Sequence, residues 1–288
     1  MLDWQTEAEQ LYTTYGRQWS KIASELKDTY FPDKTHHQAK EAIRSYIRRT
    51  DAWKQEEQEL NKDKPKLVFA DVHIPFHHPN YLKFLKATYK KYDCGQVICL
   101  GDLVDNHAIS SHQKETCAKS PYDELDMAIE VVKEYTTAFP EAYLVLGNHD
   151  LRPLRQAASV GLGERFLKPL SQLLELPDTW ILGDEFIIDE VLYKHGENCA
   201  GVNGALNSAL RERMSVCIGH FHALAGVKYS ANKRDIVFGA NVGCAIDIQA
   251  YAFAYGKRSK DRPILGCAVV FNSGHAEFIP MSSEYFRD

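Results

Sequence analysis

Apolar residues recur every three or four positions in the first fifty residues, a spacing that predicts helices buried on one face. Thr35 and Gln38 form a capping-box pattern before the last of these helices. The three groups are Ala8, Leu11, Tyr12 and Tyr15; Trp19, Ile22, Ala23 and Leu26; and Ala39, Ala42, Ile43, Tyr46 and Ile47. The sequence therefore predicts a three-helix module over residues 1–50.

The other face of the third predicted helix is basic. Lys40, Arg44 and Arg48 follow one another at intervals of four residues, which places them on one side of a helix. A helix that buries one face and presents basic side chains on the other is typical of helix-turn-helix modules on DNA. We predict that these three side chains contact nucleic acid. The alternative is a module that docks a protein, with a basic face that is only solvated.

Residues 51–65 are rich in Glu, Lys, Gln and Asp and contain few large apolar side chains. This composition predicts a charged linker or an exposed helical extension of the third helix. The domain boundary is therefore expected at this segment.

The pattern changes from residue 66 onward. Short apolar runs at residues 67–70, 96–100 and 143–146 are separated by helical patterns at 79–92 and 120–140, which predicts parallel strands with right-handed crossovers. Further helices are expected at 151–158, 164–174 and 204–214, and strands at 181–188, 191–194, 216–218, 227–230, 236–240, 267–271 and 276–279. A parallel first half and a more antiparallel second half predict an α/β fold over residues 66–288, with two face-to-face mixed β-sheets flanked by helices.

The composition of the chain argues against several classes of function. The chain has 288 residues, is 44% hydrophobic, and carries a net charge of -5, which argues against binding nucleic acid through bulk charge. The sequence has no apolar run of membrane-spanning length and no signal-like start, so we expect a cytoplasmic protein that does not enter membranes. Seven cysteines without a Cys-x-x-Cys pattern predict neither a disulfide framework nor a structural zinc site.

Five apolar runs end in side chains that could bind a metal. The first is followed by Asp71 and His73, the second by Asp102 and Asp105, the third by Asn148, His149 and Asp150, the fourth by His195, and the fifth by His220 and His222. Open α/β sheets bind ligands at the carboxyl ends of their strands. So many carboxylates and imidazoles in one place would repel one another and lose solvation unless a cation lay among them.

This order of motifs resembles the calcineurin-like metallophosphoesterase superfamily, in its phage and bacterial form. The resemblance implies that Asp71, His73, Asp102 and His222 hold one divalent ion. It implies that Asp102, Asn148, His195 and His220 hold the second, so that Asp102 bridges the two. It further implies that His149 contacts the phosphate and helps to protonate or stabilise the leaving oxygen, and that Asp105 orients His149.

Other residues near these motifs are candidate substrate contacts. Arg152 and Arg155 could clamp a phosphate, and His107 and His112 could line the substrate groove; solvated positions at the rim are the alternative for each. We retain Arg152 and His107 as predicted substrate-binding residues. Asp150 is expected to support the turn rather than to catalyse.

The donor types fit two-metal chemistry. Ions about 3.5 to 4 Å apart need a bridging carboxylate and can share a hydroxide that attacks phosphorus in line. Imidazole, carboxylate and amide donors without thiolate suit manganese, iron or zinc and do not choose among them. We predict manganese, with iron, zinc or nickel as alternatives.

The first fifty residues resemble the Myb/SANT family. The resemblance rests on Trp4 with residues 6–9, on residues 19–26 and on residues 34–38, although Ile43 stands where the family has its third tryptophan. With this module attached, we predict a phosphodiesterase that hydrolyses nucleic acid, DNA before RNA. One alternative is a phosphomonoesterase or cyclic-nucleotide phosphodiesterase whose helices bind a protein partner. Another is a non-catalytic binding protein with a vestigial metal site. The oligomeric state is left open.

Overall fold

The computed structural model describes residues 3–110, 119–247, 262–272 and 274–286. The chain forms two compact units, Met1–Asp63 and Lys64–Asp288. Six cysteines in the described part are buried free thiols. No helix in that part is long and apolar enough to cross a membrane.

The N-terminal unit contains the three predicted helices: α1 (Trp4–Tyr15), α2 (Trp19–Tyr30) and α3 (His36–Ile47). Their apolar faces meet in one core, in which Ile22, Leu26 and Ile43 are fully buried. The capping box is present: Thr35 Oγ1 accepts a hydrogen bond from the Gln38 N–H, and the Gln38 side chain accepts one from the Thr35 N–H. Sequence pattern and capping therefore agree on where α3 begins.

The charged segment after α3 forms a further helix, α4 (Asp51–Lys62). Thr50 caps α4 by accepting a hydrogen bond from the Trp53 N–H. The indole of Trp53 packs against the rings of Tyr12 and Trp19, with centroids 5.8 and 5.5 Å apart. Thus α4 starts at its own cap and contributes an aromatic side chain to the N-terminal core.

The C-terminal unit contains two mixed sheets. The first has the order β11-β10-β1-β2-β3-β4, and the second has the order β5-β6-β7-β9-β8. The strands are β1 (Lys66–Phe69), β2 (Gln96–Cys99), β3 (Ala142–Val145), β4 (Trp180–Gly183), β5 (Glu185–Ile188), β6 (Val191–Lys194), β7 (Ser215–Ile218), β8 (Ala225–Ala231), β9 (Ile236–Val242), β10 (Gly266–Phe271) and β11 (His275–Pro280). Strands β1 to β4 run parallel, as do β6, β7 and β9.

The two sheets face each other across a shared apolar layer, in which Val68 and Ile98 of the first sheet pack with Tyr193 and Phe238 of the second. Helices cover the outer faces. They are α5 (Tyr81–Lys91), α6 (Pro121–Ala138), α7 (Arg152–Ser159), α8 (Leu170–Leu173) and α9 (Gly204–Glu212). This arrangement confirms the predicted α/β fold of two face-to-face mixed sheets flanked by helices.

Two element predictions are wrong. Residues 181–188, predicted as one strand, form β4 and β5, which belong to different sheets. Residues 164–174, predicted as one helix, form a 3-10 turn (Glu164–Phe166) and the short α8. Pro169 interrupts the helix because proline disfavours helical backbone in the residue before it.

Candidate metal centre

Four predicted ligands sit on backbone in the left-handed region at the carboxyl ends of strands. The φ angles are 51° at Asp71, 54° at His73, 51° at Asp102 and 68° at His220. For residues with a Cβ such conformations cost about 1 to 3 kcal/mol, and they cluster where a protein must aim particular side chains. The turns after β1, β2 and β7 therefore contain strained backbone at the positions that present these donors.

Two glycines let the turns approach closely. A Cβ on Gly147 would lie 2.2 Å from Asp102 Oδ1, and a Cβ on Gly219 would lie 2.5 Å from Asp71 Oδ2. Either distance is far below van der Waals contact. The glycines before Asn148 and His220 are thus required by the position of the two carboxylates.

The first group of donors consists of Asp71, His73 and His222. Their ligand atoms all lie within 4.8 Å of one another, with His73 Nε2 3.1 Å from His222 Nε2 and His222 Nε2 3.3 Å from Asp71 Oδ1. Asp71 Oδ1 is buried and makes no hydrogen bond of good geometry among the described residues, although His222 Nε2 lies near it. A cation bound among these donors would satisfy this oxygen.

The second group consists of Asp102, His195 and His220, again within 4.8 Å, together with Asn148. His195 Nε2 lies 3.3 Å from Asp102 Oδ2 and 3.0 Å from Asn148 Oδ1, while His220 Nδ1 lies 3.2 Å from His195 Nε2. Asp102 Oδ2 also lies 3.8 Å from His73 Nε2 of the first group. The Asp102 carboxylate therefore stands between the two groups, as expected of a bridging ligand.

Hydrogen bonds fix which nitrogen of each imidazole is free for a metal. His195 Nδ1 lies 2.7 Å from the carbonyl oxygen of Leu100, so it donates and leaves Nε2 as a lone pair. That lone pair faces Asn148 Oδ1, which is also an acceptor. Two acceptors at contact distance fit a cation between them. The donor set and its tautomers thus suit divalent metal ions.

The electrostatics of the site agree with this. Burial raises the pKa of Asp102, but the hydrogen bond and charge of His195 outweigh burial and hold that pKa well below its usual range. Burial lowers the pKa of His195, yet Asp102 raises it to about 10. Without a metal, the Asp102 carboxylate thus stays ionised and the His195 imidazole is protonated. A metal would take the position of that proton.

Asp105 joins the metal centre to His149. Its Oδ1 accepts hydrogen bonds from Nδ1 of His73 and from Nδ1 of His149, both at 2.8 Å. His149 Nδ1 also lies 2.9 Å from the Asp105 carbonyl oxygen, and the His149 N–H donates to Asp102 Oδ1 at 2.7 Å. The predicted orientation of His149 by Asp105 matches this geometry, and the same oxygen additionally orients a metal ligand.

Residues 64–235 match the calcineurin-like phosphoesterase family. The chain belongs to this family. The resemblance noted in the sequence is thereby confirmed for the C-terminal unit, and it supports a metal-dependent phosphoesterase hydrolase.

Several solved structures are similar to this phosphoesterase. A metallophosphoesterase from Sphaerobacter thermophilus is 16% identical with a TM-score of 0.41, and the match covers 76% of this chain and 88% of that one. Nuclease MPE from Pseudomonas putida is 18% identical with a TM-score of 0.34, covering 77% and 93%. Vacuolar Protein Sorting 29 from Cryptosporidium parvum is 13% identical with a TM-score of 0.38, covering 75% and 98%. No curated protein sequence matches the chain.

Other residues around the phosphoesterase centre have structural partners. Both Asp150 oxygens accept backbone hydrogen bonds, from the N–H groups of Gly147 and Val104 at 3.0 and 3.2 Å. Burial, followed by the charge of Asp102, raises the pKa of Asp150 to about 7. Asp150 therefore holds the turn together, the role that we expected of it.

Arg152 and His107 are both buried. Arg152 Nη1 donates to the carbonyl oxygens of Asp105 and Asn106 at 2.9 and 3.1 Å, and its Nη2 lies 3.2 Å from His149 Nε2. The His107 ring packs edge-on to Phe76, with centroids 6.0 Å apart. Arg152 thus stands beside the catalytic candidate, whereas His107 packs inside its loop. His112 lies outside the described residues.

In the N-terminal unit of the phosphoesterase, the three predicted basic side chains do not all line the same cavity. Lys40 and Arg44 line an open cavity of about 390 Å³ together with Arg17 and Lys21. The guanidinium of Arg48 stands over the ring of Trp53, 5.9 Å from its centroid, and that of Arg17 lies over the same ring at 4.3 Å and pairs with Glu56. Helical spacing predicted the pair on α3. It could not reveal Arg17 and Lys21, because their approach depends on how α2 packs on α3.

Sequence reasoning also missed the backbone partner of His195. The carbonyl oxygen of Leu100 accepts its Nδ1 hydrogen bond, and no residue type marks that role. Only the placement of β6 relative to the end of β2 determines it.

Proposed function

We propose that this phosphoesterase hydrolyses phosphodiester bonds of nucleic acids, DNA before RNA, with two divalent ions in its metal centre. The arrangement of two ligand groups around Asp102, with His149 beside them, carries this proposal. Two bound ions would lower the pKa of a water molecule to supply the nucleophile and would offset charge on the phosphoryl oxygens. The mixed nitrogen and oxygen donors suit several divalent metals; we propose manganese, with iron, zinc or nickel as alternatives.

His149 supplies the proton that the leaving oxygen takes up. Asp105 anchors Nδ1, so Nε2 is the nitrogen left to exchange a proton. Nε2 lies 3.2 Å from Arg152 Nη2 and accepts its hydrogen bond while the imidazole is neutral; protonation of Nε2 would release Arg152 Nη2 to the phosphate. Burial lowers the pKa of His149, but Asp105 and Asp102 outweigh burial and raise it. A phosphate oxygen that enters here meets a protonated imidazole and a guanidinium, both of which favour its negative charge.

The basic cavity of the N-terminal unit supports nucleic acid as the substrate. Arg17, Lys21, Lys40 and Arg44 line it, and the other lining residues are Gln18, Trp19 and Ser20. The phosphate backbone of nucleic acids is the polyanion that such a set of cations binds, independently of base sequence.

The test of this partner uses the full chain. Lys40→Ala with Arg44→Ala should weaken binding to a labelled DNA duplex in fluorescence anisotropy. The slope of log K against log salt should flatten by about 1.8, which corresponds to two phosphate contacts. Hydrolysis of bis(p-nitrophenyl) phosphate should be unchanged, since this substrate does not need the cavity.

Lys90→Ala with Lys91→Ala is the matched control, because it removes two lysines near the end of α5 in the other unit. This control should leave the DNA affinity and its salt dependence close to those of the wild type. Equal DNA affinity of the cavity variant and the wild type would contradict the proposal that the N-terminal unit binds nucleic acid.

A further inference from the structure

Glu124 is a buried carboxylate on α6 whose two oxygens both serve one loop. The side chain is in the first turn of the helix, and the residue is only 4% exposed. Oε1 accepts a hydrogen bond from the His107 N–H at 2.7 Å, and Oε2 accepts one from the Ala108 N–H at 2.6 Å. Bonds of this length to a carboxylate are strong. Glu124 therefore fixes the backbone directly after the loop that carries Asp105.

The loop held by Glu124 contacts the His149 backbone and the Arg152 side chain through Asn106. Asn106 has left-handed backbone with φ 53°, and its Nδ2 donates to the His149 carbonyl oxygen at 3.0 Å. The Asn106 carbonyl oxygen accepts a hydrogen bond from Arg152 Nη1 at 3.1 Å. A continuous path of hydrogen bonds and backbone thus leads from Glu124 to His149 and Arg152.

Glu124 faces this loop rather than a ligand. The cavity that it lines between α6 and the loop has a volume of about 20 Å³, enough for about one water molecule. Burial raises the pKa of Glu124, although the N–H groups of Ala108 and His107 oppose that effect. An apolar side chain would avoid the cost of burying a carboxylate here. The role of the carboxylate here is to accept hydrogen bonds from the two backbone N–H groups.

We propose that Glu124 is a positioning residue for the phosphoester reaction, which sets Asn106 and through it holds His149 and Arg152 in their catalytic arrangement. This inference rests on the proposed function, in which His149 protonates the leaving oxygen. Among the described residues, the Glu124 carboxylate bonds to the N–H groups of His107 and Ala108 and to none of the predicted metal ligands. Its removal should therefore affect proton donation and leave metal binding intact.

Glu124→Gln tests the proposal in the full, manganese-loaded chain. Glutamine keeps the size of the side chain, but its amide nitrogen would face one of the two N–H donors, so one hydrogen bond is lost and the loop is displaced. Two substrates are compared: a p-nitrophenyl diester, whose leaving group needs little protonation, and a dinucleoside monophosphate, whose alkoxide leaving group needs much.

We expect kcat on the dinucleotide to fall about tenfold or more, within the range that general acid catalysis contributes. On the nitrophenyl diester, kcat should fall less than about threefold, because it depends little on that proton. KM and metal content should stay close to those of the wild type. Asp126→Asn is the matched control, since Asp126 is exposed on the same helix, and it should change neither rate.

A double-mutant comparison separates positioning from general damage. In a His149→Ala background, Glu124→Gln should lower dinucleotide turnover much less than in the wild type, because both changes remove the same proton donation. An equal loss on both substrates, or full additivity with His149→Ala, would overturn the role of Glu124. Absence of metal-dependent diester hydrolysis in the wild type would instead overturn the proposed function itself.

Discussion

At the residue scale, a single oxygen of Asp105 contacts both a predicted metal ligand and the predicted proton donor. It accepts hydrogen bonds from His73 and from His149, both at 2.8 Å. The bond to His73 leaves Nε2 of that ring free for a metal, and in the proposed mechanism the bond to His149 leaves its Nε2 free for the leaving group. The three side chains should therefore respond differently to substitution.

His149→Ala should reduce turnover of a dinucleotide by about 10²- to 10⁴-fold, the usual contribution of a positioned acid. Metal content, measured by plasma mass spectrometry, should stay the same because His149 is not a ligand in this account. His220→Ala is the contrasting variant and should lose metal. If His149→Ala kept its activity, the assignment of the proton donor would be wrong.

Asp105→Asn should impair both functions. The asparagine oxygen could still accept both hydrogen bonds, but the amide lacks the negative charge that holds His73 and His149. Loss of such a supporting partner typically costs about 10- to 100-fold in metal affinity or activity. A competition titration with a chelator would show weaker metal binding than in His149→Ala. Metal affinity equal to that of His149→Ala would contradict the shared role of Asp105.

At the scale of elements, the centre depends on close packing of the turns that follow β2 and β3. Gly147→Ala would place a Cβ 2.3 Å from the Asp102 backbone nitrogen and 2.2 Å from its Oδ1. Because the backbone cannot move aside easily, we expect Asp102 to shift and the ions to bind more weakly, as measured by the same titration.

Gly163→Ala provides the control for Gly147→Ala. A Cβ added at Gly163 would have nothing within 4 Å of it, and the φ of -78° at this position suits any residue. The control should bind metal as the wild type does. Matching metal affinities for the two variants would contradict the need for a glycine at position 147.

The apolar pattern predicted most elements because each strand here is short, buried and bounded by polar turns. It failed at residues 181–188, where apolar residues continue through a change of sheet. Trp180–Gly183 pairs with β3, while Glu185–Ile188 pairs with β6, and a hydrophobic pattern does not record which partner a strand pairs with. Periodicity likewise could not show that residues 164–174 are not a single helix.

Some site residues could likewise be predicted from the sequence, and others could not. Asp71, Asp102 and His195 could be predicted because each follows a buried strand, and strand ends converge at one edge of a sheet. The burial of His107 and the support from Glu124 could not, because both depend on how α6 lies against a loop that is distant in sequence. Long-range hydrogen bonds of this kind leave no local signature.

At the scale of the whole molecule, the metal centre lies between strands of both sheets and should contribute to stability. Asp71 and Asp102 come from the first sheet, and His195 and His220 follow strands of the second. Ions bound there link the two layers and offset the repulsion of buried carboxylates.

Metal removal should therefore lower the Tm of the full chain. At a free metal concentration about 100 times the Kd, binding adds about 2.7 kcal/mol. For a domain of this size that corresponds to a Tm shift of about 5 to 10 °C. Scanning calorimetry with a chelator, followed by added Mn²⁺, would measure it. A Tm that did not respond to metal would contradict occupancy of these ligand groups.

The proposed hydrolysis of nucleic-acid phosphodiester bonds is tested most directly by comparing substrates. The measurement is kcat/KM of the manganese-reconstituted full chain for one panel: a simple monoester, a simple diester, a cyclic nucleotide, and single- and double-stranded DNA and RNA. The account predicts metal-dependent cleavage of the diester and of polynucleotide, with DNA preferred and the monoester poorest. Efficient monoester or cyclic-nucleotide hydrolysis without cleavage of DNA or RNA would contradict it.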